Sequence, residues 1–179
     1  MIGSVQSGLM SDNECEGWPN YVITQVAAKA ELSIPSQPNL ILLHVGTNDA
    51  VYNVDIQNAA ARLGTLIDRL FAAIPDVTVV ASTLLPNGDA NAQANVKIYN
   101  SQIPGVVKAR QAAGRKITYV DFSSPYFSLS DISPDGYVLH VRDTVTRADD
   151  PDRTHPTDAG YLKMAEVWYR KLHADRSRF

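Results

Sequence analysis

The chain has 179 residues, 45% of them apolar and 20% charged, which is a globular balance and not a disordered one. Sixteen Lys+Arg against nineteen Asp+Glu leave a net charge of −3, which argues against nucleic acid or an anionic membrane as partner, because phosphate binding needs a basic face. One cysteine, Cys15, excludes an internal disulfide and a thiolate zinc site, and no apolar run approaches the ~20 residues that span a bilayer. The opening Met1-Ile-Gly-Ser-Val-Gln-Ser lacks the basic, apolar and small-residue order of a secretory signal.

In chain order, Ile2 to Val5 is β-branched and predicts a short strand, and Ser7 to Pro19, broken by Gly8, Gly17 and Pro19, predicts a loop. Tyr21 to Leu32 carries Val22, Val26 and Ala30 at helical spacing, and prolines at 35 and 38 end it. Leu40 to Val45 is nearly all apolar and predicts a strand buried on both faces. Val54 to Ile74 sets Ile56, Ala60, Leu63, Ile67, Leu70 and Ile74 on one face of a long helix. Val77 to Leu84 predicts the next strand. Asn91 to Ala113 predicts a helix burying Val96, Tyr99, Ile103 and Val106, with Pro104 inside it and Gly114 closing it. Ile117 to Phe122 predicts another strand, Ser123 to Pro156 a long irregular segment, and Thr157 caps a last helix that buries Tyr161, Ala165, Trp168 and Leu172. This alternation predicts one α/β domain over 1–179, a parallel sheet with helices on both faces.

Ligands of open α/β sheets bind beyond the C-terminal strand ends. Gly46-Thr47-Asn48-Asp49 stands at such an end: glycine permits a tight turn, and the Asn48 carboxamide is either an oxyanion donor or a turn residue chosen for its backbone tolerance. Asp152-Arg-Thr-His155-Pro156 pairs an imidazole with a carboxylate three residues earlier, which suits a base and its orienter or a solvated charged loop. His44, inside an apolar strand, reads as a hydrogen-bonded core histidine; His140 and His173 have no partner at useful spacing. Asp149, Asp150 and Asp152 lack the glycine and terminal glutamate of a calcium loop, and Cys15 reads as incidental. No metal site and no cofactor is expected.

Taken together, Gly46-Thr47-Asn48-Asp49 after a buried strand and Asp152-Arg-Thr-His155-Pro-Thr-Asp-Ala-Gly-Tyr before a terminal helix resemble the SGNH (GDSL-type) hydrolases. Ile2-Gly-Ser-Val-Gln-Ser-Gly, Asp12-Asn13, Glu16-Gly17-Trp18, Tyr99-Asn100 and Ile103-Pro104 are similar to the carbohydrate-esterase branch. The resemblance implies a three-layer α/β/α sandwich with a flavodoxin-like parallel sheet of order 2-1-3-4-5. It implies His155 as general base, Asp152 as its orienter and Asn48 as an oxyanion donor. The family's oxyanion glycine falls at Asn20, with Gly17 as substitute only if the loop shifts. The Gly-Asp-Ser block of the family is not in this sequence, so the chain is expected to lack the first strand, the nucleophile is unassigned, and Ser4, Ser7 and Ser11 are chance placements.

The expected function is ester hydrolysis on a small-molecule or acetylated carbohydrate substrate, doubtful in this chain for want of the serine block. The alternative is a catalytically inactive relative, with Trp18, Tyr52, Tyr126, Phe127 and Tyr137 as sugar-stacking rings or ordinary packing. Self-association through an exposed strand edge is expected of a sheet lacking a central strand. Relatives of this branch look secreted, and Met1 to Ser7 carries no such signal, so the sequence assigns no compartment.

Overall fold

The computed structural model describes residues 3–6, 11, 14–123, 125–133 and 153–176. At the N-terminal end β1 (Val5–Gln6) pairs antiparallel with β2 (Glu14–Cys15), Val5 opposite Cys15. This strand shares only Val5 with the expected strand at Ile2–Val5, and its partner lies within the expected loop. Helix α1 (Ile23–Ala30) leads to β3 (Leu40–Leu43), and a five-residue helix, α2 (Thr47–Val51), replaces the expected turn. A 3-10 turn at Ile56–Asn58 opens onto α3 (Ala59–Ala73). Then come β4 (Thr78–Ser82), α4 (Ala90–Ala112), β5 (Ile117–Val120), a 3-10 turn at Leu129–Asp131 and α5 (Asp158–Asp175).

The three longer strands form a parallel sheet of order β3-β4-β5, with Leu42 opposite Val80 and Val80 opposite Thr118. Side chains on alternate residues point to opposite faces, and the packing follows that period. Ile41, Leu43, Val79, Ala81, Ile117 and Tyr119 turn toward the core shared with α1, α3 and α4. Val80 and Val120 turn the other way, onto Phe122, Phe127 and the Met164, Val167, Trp168 and Leu172 side of α5. The result is the α/β/α sandwich expected of the resemblance. Ile56, Ala60, Leu63, Ile67, Leu70 and Ile74 are all buried as their spacing predicted. α5 differs: Trp168 and Leu172 pack inward, but Tyr161 and Ala165 are exposed and Met164 and Val167 take their places. The buried stripe is rotated by about one residue, because tyrosine is apolar enough to fit the pattern and polar enough to stay at the surface.

β4 is buried at every position, as a central parallel strand should be. β3 is not. Leu40 and Leu42 are 38% and 46% exposed, because β3 is the edge of the described sheet and α5 covers the β4 and β5 side of that face. Among the described residues no helix is long and apolar enough to cross a membrane.

Phe122 joins the sheet to α5, with its ring edge-on to Phe127 at 5.3 Å, Trp168 at 5.4 Å and His44 at 5.7 Å. Phe122→Ala is expected to cost about 3–5 kcal/mol in chemical denaturation, with a loss of the near-UV signal from Trp168.

Candidate active site

β3 runs into buried Val45 and then Gly46, whose φ of 113° places it in the left-handed region. A Cβ there would stand 2.8 Å from the Tyr99 ring, and the Tyr99 hydroxyl donates to the Val45 carbonyl at 2.8 Å. Both the turn and the close approach therefore require glycine. Burial, reinforced by the negative charge of Asp49, pushes the Tyr99 phenol far up, so it remains a neutral donor. The chain then enters α2, and Asn48 donates from Nδ2 to the Tyr21 carbonyl at 2.9 Å. A carboxamide nitrogen has two hydrogens, so a second donor remains.

Asp49 is fully buried. It accepts from the Ile23 backbone N–H at 2.8 Å through Oδ2 and from the Arg62 guanidinium at 2.8 Å through Oδ1. Ile23 is the first residue of α1, so this carboxylate caps α1 from another element, at the end where the helix dipole favours negative charge. The same bond fixes the Asn20–Tyr21 turn beside Asn48. Asn20 has φ 63°, a left-handed conformation that asparagine tolerates better than other non-glycine residues, and its Oδ1 accepts from the Tyr52 hydroxyl at 3.0 Å. Asparagine can therefore stand where the family has a glycine. No such conformation falls on Gly17.

Upstream, Glu16 gathers the Ser4 backbone N–H and hydroxyl, each at 2.7 Å, the Trp18 indole N–H at 2.7 Å, and the Ser33 hydroxyl. Partial burial works to raise its pKa, and the donors Ser33, Ser4 and Trp18 outweigh it, holding the carboxyl below its ordinary range. Trp18 stacks on Tyr21 at 5.7 Å, with the Lys29 ammonium 4.5 Å from the indole centroid. The residues before Asn20 are thereby tied to both ends of α1.

His155 is exposed, on a short segment held on two sides. The Gly88 N–H donates to the Arg153 carbonyl at 2.8 Å, and Asn87 Nδ2 to Thr154 Oγ1 at 3.1 Å, joining the segment to the loop after β4. On the other side Ser133 N–H donates to the His155 carbonyl at 2.9 Å, Thr157 N–H to the Asp131 carbonyl at 2.8 Å, and Ile132 bridges Pro156. Thr157 caps α5 through Gly160 N–H at 3.1 Å, as expected. Asp131 carries an ion pair with Lys163 at 2.7 Å, and Lys163 with the Ser128 backbone N–H holds its carboxyl below the usual range. Asn48 follows β3 and His155 is laced to the loop after β4, so both belong to the C-terminal rim of neighbouring parallel strands.

The sequence pattern of the GDSL-like lipase/acylhydrolase family matches residues 7–163. The chain belongs to that family. It is 32% identical over 134 residues to "Putative endoglucanase X" of Acetivibrio thermocellus, covering 74% of this chain and 49% of that protein. It is 27% identical over 140 residues to "Multidomain esterase" of Ruminococcus flavefaciens, covering 75% and 16%. The chain therefore spans about half and about one sixth of the length of these two relatives. Among solved structures, the Clostridium thermocellum family 3 carbohydrate esterase superposes with a TM-score of 0.76 at 26% identity, over 98% of this chain and 78% of that one.

Of the residues expected from the GDSL resemblance, Asn48 and Asn20 meet around the Tyr21 turn, His155 lies on the same rim, and Asp152 lies outside the described residues, as do Ser7, Tyr137 and His140. Ser4 gives its hydroxyl to Glu16, and Ser11 is exposed. Of the rings weighed for sugar stacking, Phe127 is in the core, and Tyr126 donates its hydroxyl to Glu166 at 2.6 Å. One serine–imidazole pair was not foreseen: His44 Nδ1 lies 2.7 Å from Ser82 Oγ. Ser82 is 2% exposed and closed to substrate, so the pair is structural. The expected core histidine is in fact exposed at the β3 edge; desolvation of its ring lowers the His44 pKa to about 4, so the ring is neutral near pH 7. Also unforeseen were Asp49 as a remote cap and Arg62; Tyr52, weighed as a stacking ring, donates its hydroxyl to Asn20. An acidic residue directly after Asn48 was the available signal, and its partners are set only by folding.

Asp49→Ala strips the cap from α1 and leaves Arg62 without its buried partner. It is expected to cost about 3–5 kcal/mol in urea denaturation and to raise hydrogen exchange across 20–26.

Proposed function

We propose that this chain carries the base and oxyanion groups of a serine ester hydrolase acting on acetylated carbohydrate. The observation that supports it best is the Asn48 amide, seated at the start of a helix beside the left-handed Asn20 turn, with one N–H that meets no acceptor among the described residues. In this reading a serine hydroxyl attacks the acyl carbon and yields its proton to His155, which Asp152 orients. The negative oxygen that forms is met by Asn48 Nδ2 and the Asn20 backbone N–H. Collapse expels the sugar oxygen, which takes the proton from His155 and leaves as a free hydroxyl, and water repeats the sequence to release acetate. The names of the relatives, a carbohydrate esterase, an esterase and an endoglucanase, favour a sugar ester over a lipid.

A second reading, an inactive member of the family, is favoured by the commitment of Ser4 to Glu16 and of Ser82 to the interior. Hydrolysis of p-nitrophenyl acetate and labelling by a fluorophosphonate separate the two. The hydrolase reading expects Asn48→Ala to lower kcat by about 10²–10³-fold and His155→Ala by roughly 10³–10⁴-fold. Labelling lost in Ser7→Ala would assign the nucleophile. Turnover unchanged in His155→Ala removes the triad, and no labelling with no turnover leaves the inactive reading.

We further propose that two copies pair through β3. Its outer backbone edge has no strand partner among the described residues, and Leu40-Ile41-Leu42-Leu43 carries none of the charges or prolines that blunt edge strands. A second copy would cover both the edge and the exposed Leu40 and Leu42. Sedimentation should give a dimer that Leu42→Lys converts to monomer; a monomer at all concentrations refutes the pairing.

A further inference from the structure

Trp18-Pro19-Asn20-Tyr21 is a β-turn closed by the Tyr21 N–H, which donates to the Trp18 carbonyl at 3.3 Å. Pro19 stands second and Asn20 third, with φ 63°, so the turn is of type II. The closing bond uses neither group of the Pro19–Asn20 peptide. The N–H of that peptide belongs to Asn20 and meets no acceptor among the described residues.

A proline in second place suits type I and type II turns alike. The two forms differ by a reversal of the central peptide, through ψ of the second residue and φ of the third. That reversal turns the Asn20 N–H the other way. Glycine in third place takes the positive φ of type II at no steric cost. Asparagine tolerates the positive φ and also accepts the negative φ of type I. With asparagine at 20, a bond from outside the turn has to fix the direction of the N–H.

Tyr52 provides that bond. Its hydroxyl donates to Asn20 Oδ1 at 3.0 Å and has no other partner among the described residues. Its backbone N–H donates to the Asn48 carbonyl at 2.9 Å, at the C-terminal end of α2. The chain then reverses, with Asn53 at φ 52°, and the Val54 N–H donates to the Asp49 carbonyl at 2.9 Å. The Tyr52 backbone is thus fixed to α2, while its half-exposed ring reaches from the helix that carries Asn48 to the turn that carries Asn20. One residue therefore touches both groups assigned to the oxyanion. We propose that Tyr52 is a positioning residue, which holds the Asn20 turn in its type II form so that the Asn20 N–H stays directed beside Asn48 Nδ2. The catalytic consequence rests on the hydrolase reading; the hold on the turn does not.

Tyr52→Phe removes the hydroxyl alone, from a ring the core does not bury, and two measurements separate the two parts. By NMR of the 15N,13C-labelled chain, the NOE from Pro19 Hα to the Asn20 N–H is expected to be strong, as in a type II turn. Tyr52→Phe should weaken it severalfold, with the Ile23 and Arg62 amide shifts unmoved. Made in the Asn20→Gly chain, the same change should leave the NOE strong, because glycine keeps the type II form unaided. On p-nitrophenyl acetate, Tyr52→Phe should lower kcat about tenfold with KM within about twofold, short of the 10²–10³-fold loss of a whole donor. If the unaltered chain has no turnover, the hydrolase reading fails, and the NOE alone decides the hold on the turn. An NOE as strong in Tyr52→Phe as in the unaltered chain overturns the proposal. So does a raised KM with kcat kept, the mark of a ring that stacks on substrate.

Discussion

The arrangement of the candidate site depends on one buried carboxylate. Asp49 binds the first N–H of α1 with one oxygen and Arg62 with the other, so three elements distant along the chain share a single anchor. A buried carboxylate is tolerated only when its charge is answered, and here a guanidinium and a helix N-terminus answer it together. Arg62 also reaches the backbone carbonyls of Val54 and Asp55, which spreads the same constraint to the chain that opens α3. Because Asn48 is the adjacent residue, its place beside the Asn20–Tyr21 turn follows from the anchor.

The two cores have different relations to this rim. The larger one, under α1, α3 and α4, holds the strand ends from which Gly46 and Asn87 depart. The smaller one, under α5, carries Phe122 and so supports the helix that begins three residues after His155. The donor cluster and the histidine therefore rest on opposite layers, and the sheet between them is what relates the two. β3 is the thin place in that arrangement, since among the described residues one of its faces and one of its edges are open while β4 is closed on every side.

Much of this was legible in the amino-acid order. The 3.6-residue period of Ile56, Ala60, Leu63, Ile67, Leu70 and Ile74 gave the buried face of α3, and the β-branched run gave β4. Asn48 and His155 could be singled out because each belongs to a short motif at a strand or helix boundary. Elements too short to have a period were not legible: the two-residue β1 and β2, and the five-residue α2 that was read as a turn. Nor could Asp49 be read as a cap, because its partners Ile23 and Arg62 lie on either side in the chain and meet it only in three dimensions. The face of α5 was misread for another reason: Tyr161 fits an apolar pattern, and its hydroxyl lets it remain at the surface. β3 looked like a doubly buried strand because composition reports how apolar a strand is, not how many neighbours it has.

The pairing of Ser133 with His155 and of Ile132 with Pro156 has a consequence for how such a protein can diversify. It clamps the two ends of the stretch between them within a strand spacing, independently of what the stretch contains. For a loop whose ends are pinned, each doubling in length costs only about 0.6 kcal/mol of closure entropy. Insertions, deletions or wholesale grafts between residues 134 and 151 can therefore be sampled by evolution, or by an engineer, while the His155 backbone is held in place by bonds the graft does not touch.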